Sequence, residues 1–442
     1  MIGMGSGITT HTLLASPGVK RLDTVEIEPA MVAGARFFGE RSQRAFTDSR
    51  SNIAIDDART YFTKRNARYD LIVSEPSNPW VSSVSSVFSR EFYRQVTRYL
   101  EPDGLFVQWL HLYESNEALV FSVLNALEGQ FAYYDIYFAV DGDVIIIANV
   151  DSPLPRLVDA IPEGLGDELG RLGINSTDDI RVRYLVSRSH ITTVSPLYPT
   201  INMDYFPFLD LQSTKARFKG EQSNLLVDIR TSLLPIDEVV IGNIAPRTQL
   251  NLTETGIVQN PLVALVRQAK VLSTAITDPG NNESLTDFDR RLLFDLQSIR
   301  LACENRIDIS LWEESLMGFA GTLLFLSPGE LPPVWEILSE HQCDDAESLQ
   351  AKRWLMLLEA LSQRHMDRLT VLSDELLQGR NPDSSTVRFL KTVKAMVLTA
   401  EGQSSRAIDS IHENELVNDN AHIATKLMYL HALAEEARSN PD

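Results

Sequence analysis

The first 129 residues alternate between short apolar runs typical of buried strands and longer runs with the spacing of amphipathic helices. Strand-type runs are expected at residues 21–28, 51–58, 69–75 and 105–112. Helices are expected at residues 8–16, 29–39, 59–67, 89–100 and 114–129. Because a crossover helix lets successive strands run in the same direction, this alternation predicts βαβ units and a parallel sheet. Ser115-Asn116 is a typical start for the last of these helices.

The expected sheet ends differently, with an antiparallel pair. Residues 131–140 and 144–150 are rich in β-branched and aromatic residues and are joined by Asp141-Gly142-Asp143, a hairpin signal. A parallel sheet closed by such a hairpin resembles that of S-adenosylmethionine-dependent enzymes, whereas an NAD-type sheet continues in βαβ units. We therefore expect an α/β fold with a methyltransferase-like, doubly wound, mostly parallel sheet.

Beyond the hairpin the pattern changes twice. Residues 151–245 mix Pro- and Gly-punctuated helical runs with irregular sequence, and from residue 250 the pattern is helical throughout. Ala395 and Ala407 are twelve apart (407 minus 395) with Gly402 between them, a spacing typical of a tetratricopeptide-like helical hairpin. A plain helical bundle is the alternative. The predicted regions are residues 1–150, 151–245 and 250–442.

The composition argues against several classes of protein. The chain carries a formal net charge of -20, which disfavours a nucleic-acid interface because phosphate contacts need clustered Lys and Arg. The same charge is compatible with a cationic ligand. Cys303 and Cys343 are the only cysteines and lack metal-ligand spacing, so we expect neither a zinc site nor a disulfide network. A reducing, cytoplasmic environment fits this usage, and no apolar run approaches the ~18 residues of a membrane span.

The glycine-rich turn "GMGSG" places Gly3, Gly5 and Gly7 at alternate positions ahead of the first helix. Glycine lets a backbone turn tightly and come close to a ligand. Glu26 ends the next strand 19 residues after Gly7 (26 minus 7), where nucleoside-binding sheets carry an acid for the ribose hydroxyls. Glu28, one pleat further on the same face, is the alternative.

Asp57 is a third candidate, at the end of the strand-type run "NIAID". A carboxylate at this place can accept a hydrogen bond from the exocyclic amine of adenine. Its neighbour Asp56 offers the same chemistry, and either residue could instead cap the helix that follows.

The run "YDLIVSEPSNPW" stops at Glu75 and then meets two prolines. Because open α/β sheets bind ligands at the carboxyl ends of their strands, Glu75 is predicted to be a reacting group. Partly desolvated by the prolines and Trp80, it would orient an amine and take its proton. Trp80 would act as a lid or stacking residue, or simply pack on the loop. Asn78 would accept from an amine or cap the turn.

Together these residues resemble the spermidine synthase family of polyamine aminopropyltransferases, especially the bacterial branch in which this domain follows a membrane transporter-like segment. The resemblance covers residues 2–210. It rests on the ordered pieces "IGMGSG", "VEIEPAMVAGARFF", "DDARTYF", "YDLIVSEPSNPW", "VFSREFY", "LEPDGLFVQWLHLYE" and "INMDYFPFLDL". It implies transfer of an aminopropyl group from decarboxylated S-adenosylmethionine to an amine such as putrescine, leaving methylthioadenosine.

The resemblance also implies roles for individual residues. The nucleoside-binding residues would be Gly3, Gly5, Ser6, Gly7, Glu26, Asp57 and Ala58. The catalytic residue would be Glu75, the substrate-binding residues would be Asn78, Trp80 and Gln108, and no metal is implied. Two residues depart from the family pattern, since Ser6 and Asn78 stand where the family has aspartates. Each departure removes a negative charge from a site that binds cations.

Two other functions remain open at this stage. An S-adenosylmethionine-dependent methyltransferase is favoured by Ser6, because an aspartate there would repel the carboxylate of the complete cofactor. A non-catalytic module that binds a nucleoside or polyamine is favoured by Ser6, Asn78 and the repeat-like tail.

The same interpretation defines the expected partners. We expect a small cationic amine as substrate and no nucleic acid, with a homodimer and a protein partner for the helical tail compatible with the sequence. A glycine turn of this kind normally follows a central strand, of which only Met1-Ile2 is present here. We therefore expect a part of the protein encoded upstream, and a membrane segment there would tether this cytoplasmic chain to the inner membrane.

Overall fold

A computed structural model of the chain shows two compact units, the first containing residues 1–227 and the second residues 261–442. The structure describes residues 1–81, 84–140, 142–230, 261–280, 285–301, 308–323, 328–340, 346–379 and 385–413, with positions 234, 236, 326, 430 and 433. Asp141, Cys303 and Cys343 lie outside the described residues.

The first unit contains seven strands within its described residues. They are β1 (Leu22–Glu26), β2 (Ser51–Ile55), β3 (Tyr69–Ser74), β4 (Leu100–His111), β5 (Tyr133–Phe138), β6 (Asp143–Asn149) and β7 (Tyr184–Ser187). The helices are α1 (Ile8–Leu13), α2 (Pro29–Ala35), α3 (Gln43–Thr47), α4 (Ala58–Arg65), α5 (Arg90–Val96), α6 (Glu117–Glu128), α7 (Gly166–Gly170), α8 (Asp178–Arg181), α9 (Arg188–Val194) and α10 (Phe208–Lys219). Helix α11 (Leu225–Arg230) begins in the first unit and ends in the second. The expected alternation of strands and helices is confirmed.

The sheet is parallel at one side and antiparallel at the other. β1 pairs with β2 and β3 pairs with β4, both in parallel. β6 then pairs antiparallel with β4 and with β5, which confirms the predicted hairpin. β7 adds a further antiparallel strand beside β5 that the sequence pattern did not predict.

Ile2 joins the two parallel pairs. It forms parallel bridges to Val25 of β1 and to Ser74 of β3. The Ile2 amide donates to the carbonyl of Val73 at 2.7 Å, and its carbonyl accepts from the Glu75 amide at 2.9 Å. The residue just before the glycine turn therefore lies between β1 and β3, as expected for the end of a central strand.

The boundary between α5 and β4 differs from the prediction. The helix was expected to continue to Leu100, but α5 ends at Val96 and β4 already begins at Leu100. The strand continues through Pro102-Asp103-Gly104 because pairing with β3 shifts register there, with Asp103 at a φ of 64°. Pairing with β3 overrides the turn preference of these residues.

Helix α6 is buried on all sides because it packs between other helices of the unit, α5 and α10. The stretch 119–127 is buried throughout. The Asn116 side chain accepts from the amide of Leu119 at 3.1 Å, which confirms the predicted amino-terminal cap.

The described part of the second unit is helical. Its helices are α12 (Pro261–Thr277), α13 (Asp287–Leu301), α14 (Ile309–Leu323), α15 (Pro332–Ser339), α16 (Ala346–Gln363), α17 (Met366–Leu377), α18 (Ser385–Ala400) and α19 (Ser404–Glu413). From α16 onward each helix packs against the next. Ala395 and Ala407 are fully buried between α18 and α19, and Gly402 turns the chain with a φ of 72°. A helical hairpin is thus confirmed, while its assignment as a tetratricopeptide repeat stays a prediction.

Across the described helices of both units, none is long and apolar enough to cross a membrane.

Candidate nucleoside-binding and catalytic site

The glycine turn has a backbone that requires glycine. Gly3, Gly5 and Gly7 have φ values of 81°, 49° and 76°, in the left-handed region. A Cβ on Gly3 would lie 2.3 Å from the carbonyl oxygen of Glu75, whereas a Cβ on Gly5 would meet no atom within 4 Å. The turn therefore packs against the Glu75 backbone at one end and is open at its middle. Ser6 is half-buried, and its hydroxyl accepts from the amide of Ile8 at 3.4 Å.

Glu26 lies directly beneath this turn and is only 8% exposed. Its carboxylate accepts from the amide of Met4 at 2.8 Å and from the amide of Glu28 at 2.9 Å. Hydrogen bonds from backbone amides to a charged oxygen are strong, so they fix the acid against the turn. The alternative, Glu28, is exposed and caps α2 by accepting from the amide of Ala30.

Asp57 caps helix α4 by accepting from the amide of Thr60 at 2.9 Å. The helix-cap alternative is therefore present in the structure, although one cap bond leaves the second carboxylate oxygen available to a ligand. Asp56 forms an ion pair with Lys64 at 2.8 Å, and the ammonium group lowers the pKa of Asp56. Ala58 is buried as the first residue of α4.

Apolar side chains are left uncovered next to these acids. Ile27, which follows Glu26, is 68% exposed, and Ile55, at the end of β2, is 50% exposed. Uncovered isoleucines at two adjacent strand ends fit the faces of a planar base.

Glu75 follows the last residue of β3 and lies at the open carboxyl edge of the sheet. The Thr9 hydroxyl donates to its Oε2 at 2.7 Å. The residue is exposed to solvent, yet nearby protein atoms displace part of the water around its carboxyl group. Partial loss of water raises the pKa of Glu75, and the hydrogen bond from Thr9 opposes this shift.

The loop after Glu75 crosses the end of β4. The Trp80 ring meets His111 edge to face with centroids 4.9 Å apart, and the Arg217 guanidinium lies 4.9 Å from the Trp80 centroid. Burial raises the pKa of Tyr113, and the nearby Asn78 side chain opposes this rise. Trp80 therefore contacts the end of β4 and helix α10, and its role as a lid or stacking residue stays a prediction.

Gln108 has a different environment from the one expected. Its side chain is fully buried. Nε2 donates to the carbonyls of Ser74 at 3.2 Å and Trp109 at 2.8 Å, and the Tyr93 hydroxyl is 3.5 Å from Oε1. Side chains alternate along a strand, and this face of β4 is directed at α5 and the core. We therefore do not propose substrate contact for Gln108.

The glycine turn, Glu26, Asp57 and Glu75 lie at one edge of the sheet, at the carboxyl ends of its parallel strands. Residues 1–140 match the family model of the spermine/spermidine synthase domain.

Relatives are similar over part of their length. The polyamine aminopropyltransferase of Moorella thermoacetica is 32% identical over 107 residues, and that of Thermoplasma volcanium is 36% identical over 108 residues. In both cases the match covers 24% of this chain and spans 38% of the relative. The crystal structure of spermidine synthase from Thermotoga maritima is 21% identical, with a TM-score of 0.29, and the match covers 34% of this chain and 53% of that chain.

Several residues of the site were missed from the sequence. Thr9 donates to Glu75, His111 contacts Trp80 and Tyr113, and Arg217 reaches Trp80 from α10. His111 is 2% exposed, and burial lowers its pKa to about 4, so the imidazole is neutral at physiological pH. No spacing rule marks such residues, because their proximity arises from strand pairing and loop docking.

Within the described ranges, no cluster of three or more His, Cys, Asp or Glu side chains could hold a metal ion.

Proposed function

We propose that the first unit of the chain transfers an aminopropyl group from decarboxylated S-adenosylmethionine to a small cationic amine. The observation that carries this proposal is the contact between the glycine turn and Glu75. The backbone of Glu75, a residue whose pKa is raised by partial loss of water, packs directly against this turn, and a glycine turn of this kind would suit a nucleoside. The sequence relationship to polyamine aminopropyltransferases supports the same activity.

The nucleoside would lie along the carboxyl ends of β1 and β2. Glu26 is held beneath the turn by two amides, and its remaining lone pairs can accept from ribose hydroxyls. The second oxygen of Asp57 can accept from the adenine amine, while Ile27 and Ile55 would cover the base. The open space at Gly5 leaves room for the chain that carries the sulfonium.

The reaction would remove one proton from the acceptor ammonium and replace a C–S bond by a C–N bond. Glu75 would take a proton from the ammonium of the acceptor, freeing a nitrogen lone pair. That nitrogen attacks the methylene carbon next to the sulfonium, and a new C–N bond forms as the C–S bond breaks. The bonding electrons stay on sulfur, which gives neutral methylthioadenosine. The product nitrogen remains a secondary ammonium, and Glu75 passes its proton to solvent.

The acceptor would approach past Asn78 and Trp80, which lie on the loop after Glu75. Asn78 can accept a hydrogen bond from an amine, and an amine that bound the Trp80 ring by a cation–π contact would have to share it with the Arg217 guanidinium. Putrescine is one candidate acceptor. Because Asn78 is neutral, binding of a polycation would be weaker than at a site with a carboxylate there.

Methyl transfer from S-adenosylmethionine is the second candidate. The neutral Ser6 in the glycine turn favours it, since no carboxylate there would repel the amino-acid end of the complete cofactor.

Calorimetric binding of methylthioadenosine, S-adenosylmethionine and its decarboxylated form to the full chain separates these candidates. We expect preference for the decarboxylated form, followed by release of methylthioadenosine when amines are added. Preference for the complete cofactor would favour methyl transfer, and binding of none would refute both. Glu75→Gln should keep nucleoside binding but slow turnover about 100-fold or more, the usual contribution of a general base.

A further inference from the structure

We propose that Thr9 is a positioning residue, which holds one oxygen of Glu75 against helix α1 and leaves the other to take the proton of the acceptor amine. This inference rests on the proposed function and adds a residue to its mechanism. Thr9 lies outside the glycine turn and outside every strand end, so it belongs to none of the motifs that predict the site.

The contact is short and joins distant parts of the chain. The Thr9 hydroxyl donates to Glu75 Oε2 at 2.7 Å across 66 positions of sequence. Among the described residues, Oε1 of Glu75 has no hydrogen-bond partner. A glutamate has three rotatable side-chain bonds, and without a fixed partner its carboxylate would sample several orientations. The hydrogen bond from Thr9 to Oε2 would select one orientation of the carboxylate, which leaves Oε1 to accept the proton of the amine.

Helix α1 is firmly anchored at the positions that follow Thr9. The Thr10 hydroxyl lies 3.0 Å from the hydroxyl of Thr24 in the buried part of β1. The next residue, His11, accepts from the amide of Arg44 at 3.1 Å through Nδ1. The hydroxyl of Thr9 is therefore presented by a fixed element rather than by a mobile loop.

The same hydrogen bond acts on the proton affinity of Glu75. Burial raises the pKa of Glu75, and the bond from Thr9 lowers it by stabilising the ionised form. Thr9 would thus keep the base ionised at a pH where burial alone would favour the protonated acid. Position and proton affinity are two separate properties, and each can be measured.

The test compares Thr9→Val, which keeps the shape without the hydroxyl, with Thr9→Ser, which keeps the hydroxyl. Thr12→Val, on the same helix but outside the site, controls for changes in helix α1. The pKa of Glu75 is read from the carboxyl carbon resonance by NMR, with Glu75→Gln identifying the signal. The kcat, the KM for the amine and the affinity for methylthioadenosine are measured on the same full-length variants.

We expect Thr9→Val to raise the pKa of Glu75 and to lower kcat roughly tenfold at neutral pH, the scale of one hydrogen bond to a charged group. Methylthioadenosine affinity should be unchanged, and Thr9→Ser should restore both the pKa and kcat. Unchanged pKa and kcat in Thr9→Val, or equal loss in Thr9→Ser, would overturn the role of Thr9. Absence of turnover in the unaltered chain with every amine would instead overturn the proposed function.

Discussion

Gly3 and Glu75 approach so closely that a methyl group on Gly3 would lie 2.3 Å from the Glu75 carbonyl oxygen. Backbone, rather than a flexible side chain, forms both sides of this contact. The amide of Glu75 is also held by the Ile2 carbonyl at 2.9 Å. The glycine turn and the segment that carries the proposed base are therefore one rigid piece.

Gly3→Ala should destabilise this piece more than Gly5→Ala does. Both alanines would be strained by a positive φ, which costs about 1 kcal/mol. Only Gly3→Ala adds a backbone clash, so we expect it to cost about 2 kcal/mol more. Hydrogen exchange of amides in β1 and β3 of the full chain measures the difference in opening free energy. Equal protection in the two variants would show that the Gly3–Glu75 contact is looser than described.

Asp57 should show two separable functions. Asp57→Ala removes the α4 cap and should cost about 1 kcal/mol, whereas Asp57→Asn keeps a capping oxygen and should cost little. Both variants should weaken methylthioadenosine binding severalfold, because the charged acceptor for the adenine amine is lost. Calorimetry and thermal unfolding test this, with Asp56→Asn as the matched control. If Asp57→Asn bound methylthioadenosine as tightly as the unaltered chain, the role of Asp57 would be limited to capping α4.

The pH dependence of turnover should report the raised pKa of Glu75. The proposed base works only when ionised, so kcat/KM should fall as pH decreases through that pKa. Because burial raises it, this acid limb should lie above the ordinary glutamate value of ~4.3. Initial rates of methylthioadenosine release from pH 4 to 8 locate the limb. A limb at or below the ordinary value would contradict the partly desolvated site.

His111 should make the first unit less stable in acid. Burial lowers its pKa to about 4, so between that pH and the unfolded value of ~6.5 only the unfolded chain binds the proton. Stability contributed by the neutral ring is present above pH 6.5 and is lost as pH falls, by about 2 kcal/mol between pH 7 and pH 5. Asp135 acts in the opposite direction, because burial raises its pKa to about 6.

His111→Phe isolates the histidine contribution. It removes the titrating group while keeping an aromatic ring against Trp80. The change in unfolding free energy between pH 7 and pH 5 should be less unfavourable in the variant than in the unaltered chain. The effect of Asp135 is common to both and cancels. Identical pH dependence of the two proteins would argue against a buried neutral His111.

The elements of the sheet were largely predictable because strands and helices impose different hydrophobic periods on the sequence. The α5–β4 boundary was misplaced, since pairing with β3 draws Leu100 and the following turn residues into the strand. β7 was missed because four residues give too little periodicity to recognise.

The residues of the candidate site also fall into two groups, those that the sequence pattern predicts and those that only tertiary contacts bring together. Gly3, Glu26 and Glu75 were identifiable because turns and strand ends have fixed places in a βαβ sheet, so sequence order alone brings them to one edge. Thr9 and His111 acquired their positions only through tertiary contacts, with a helix face in one case and a docked loop in the other. The sequence thus determined the fold type and the edge of the sheet where ligands would bind. Which side chains contact the Glu75 carboxylate depends on the tertiary structure, because hydrogen bonds between distant segments require packing that no local pattern encodes.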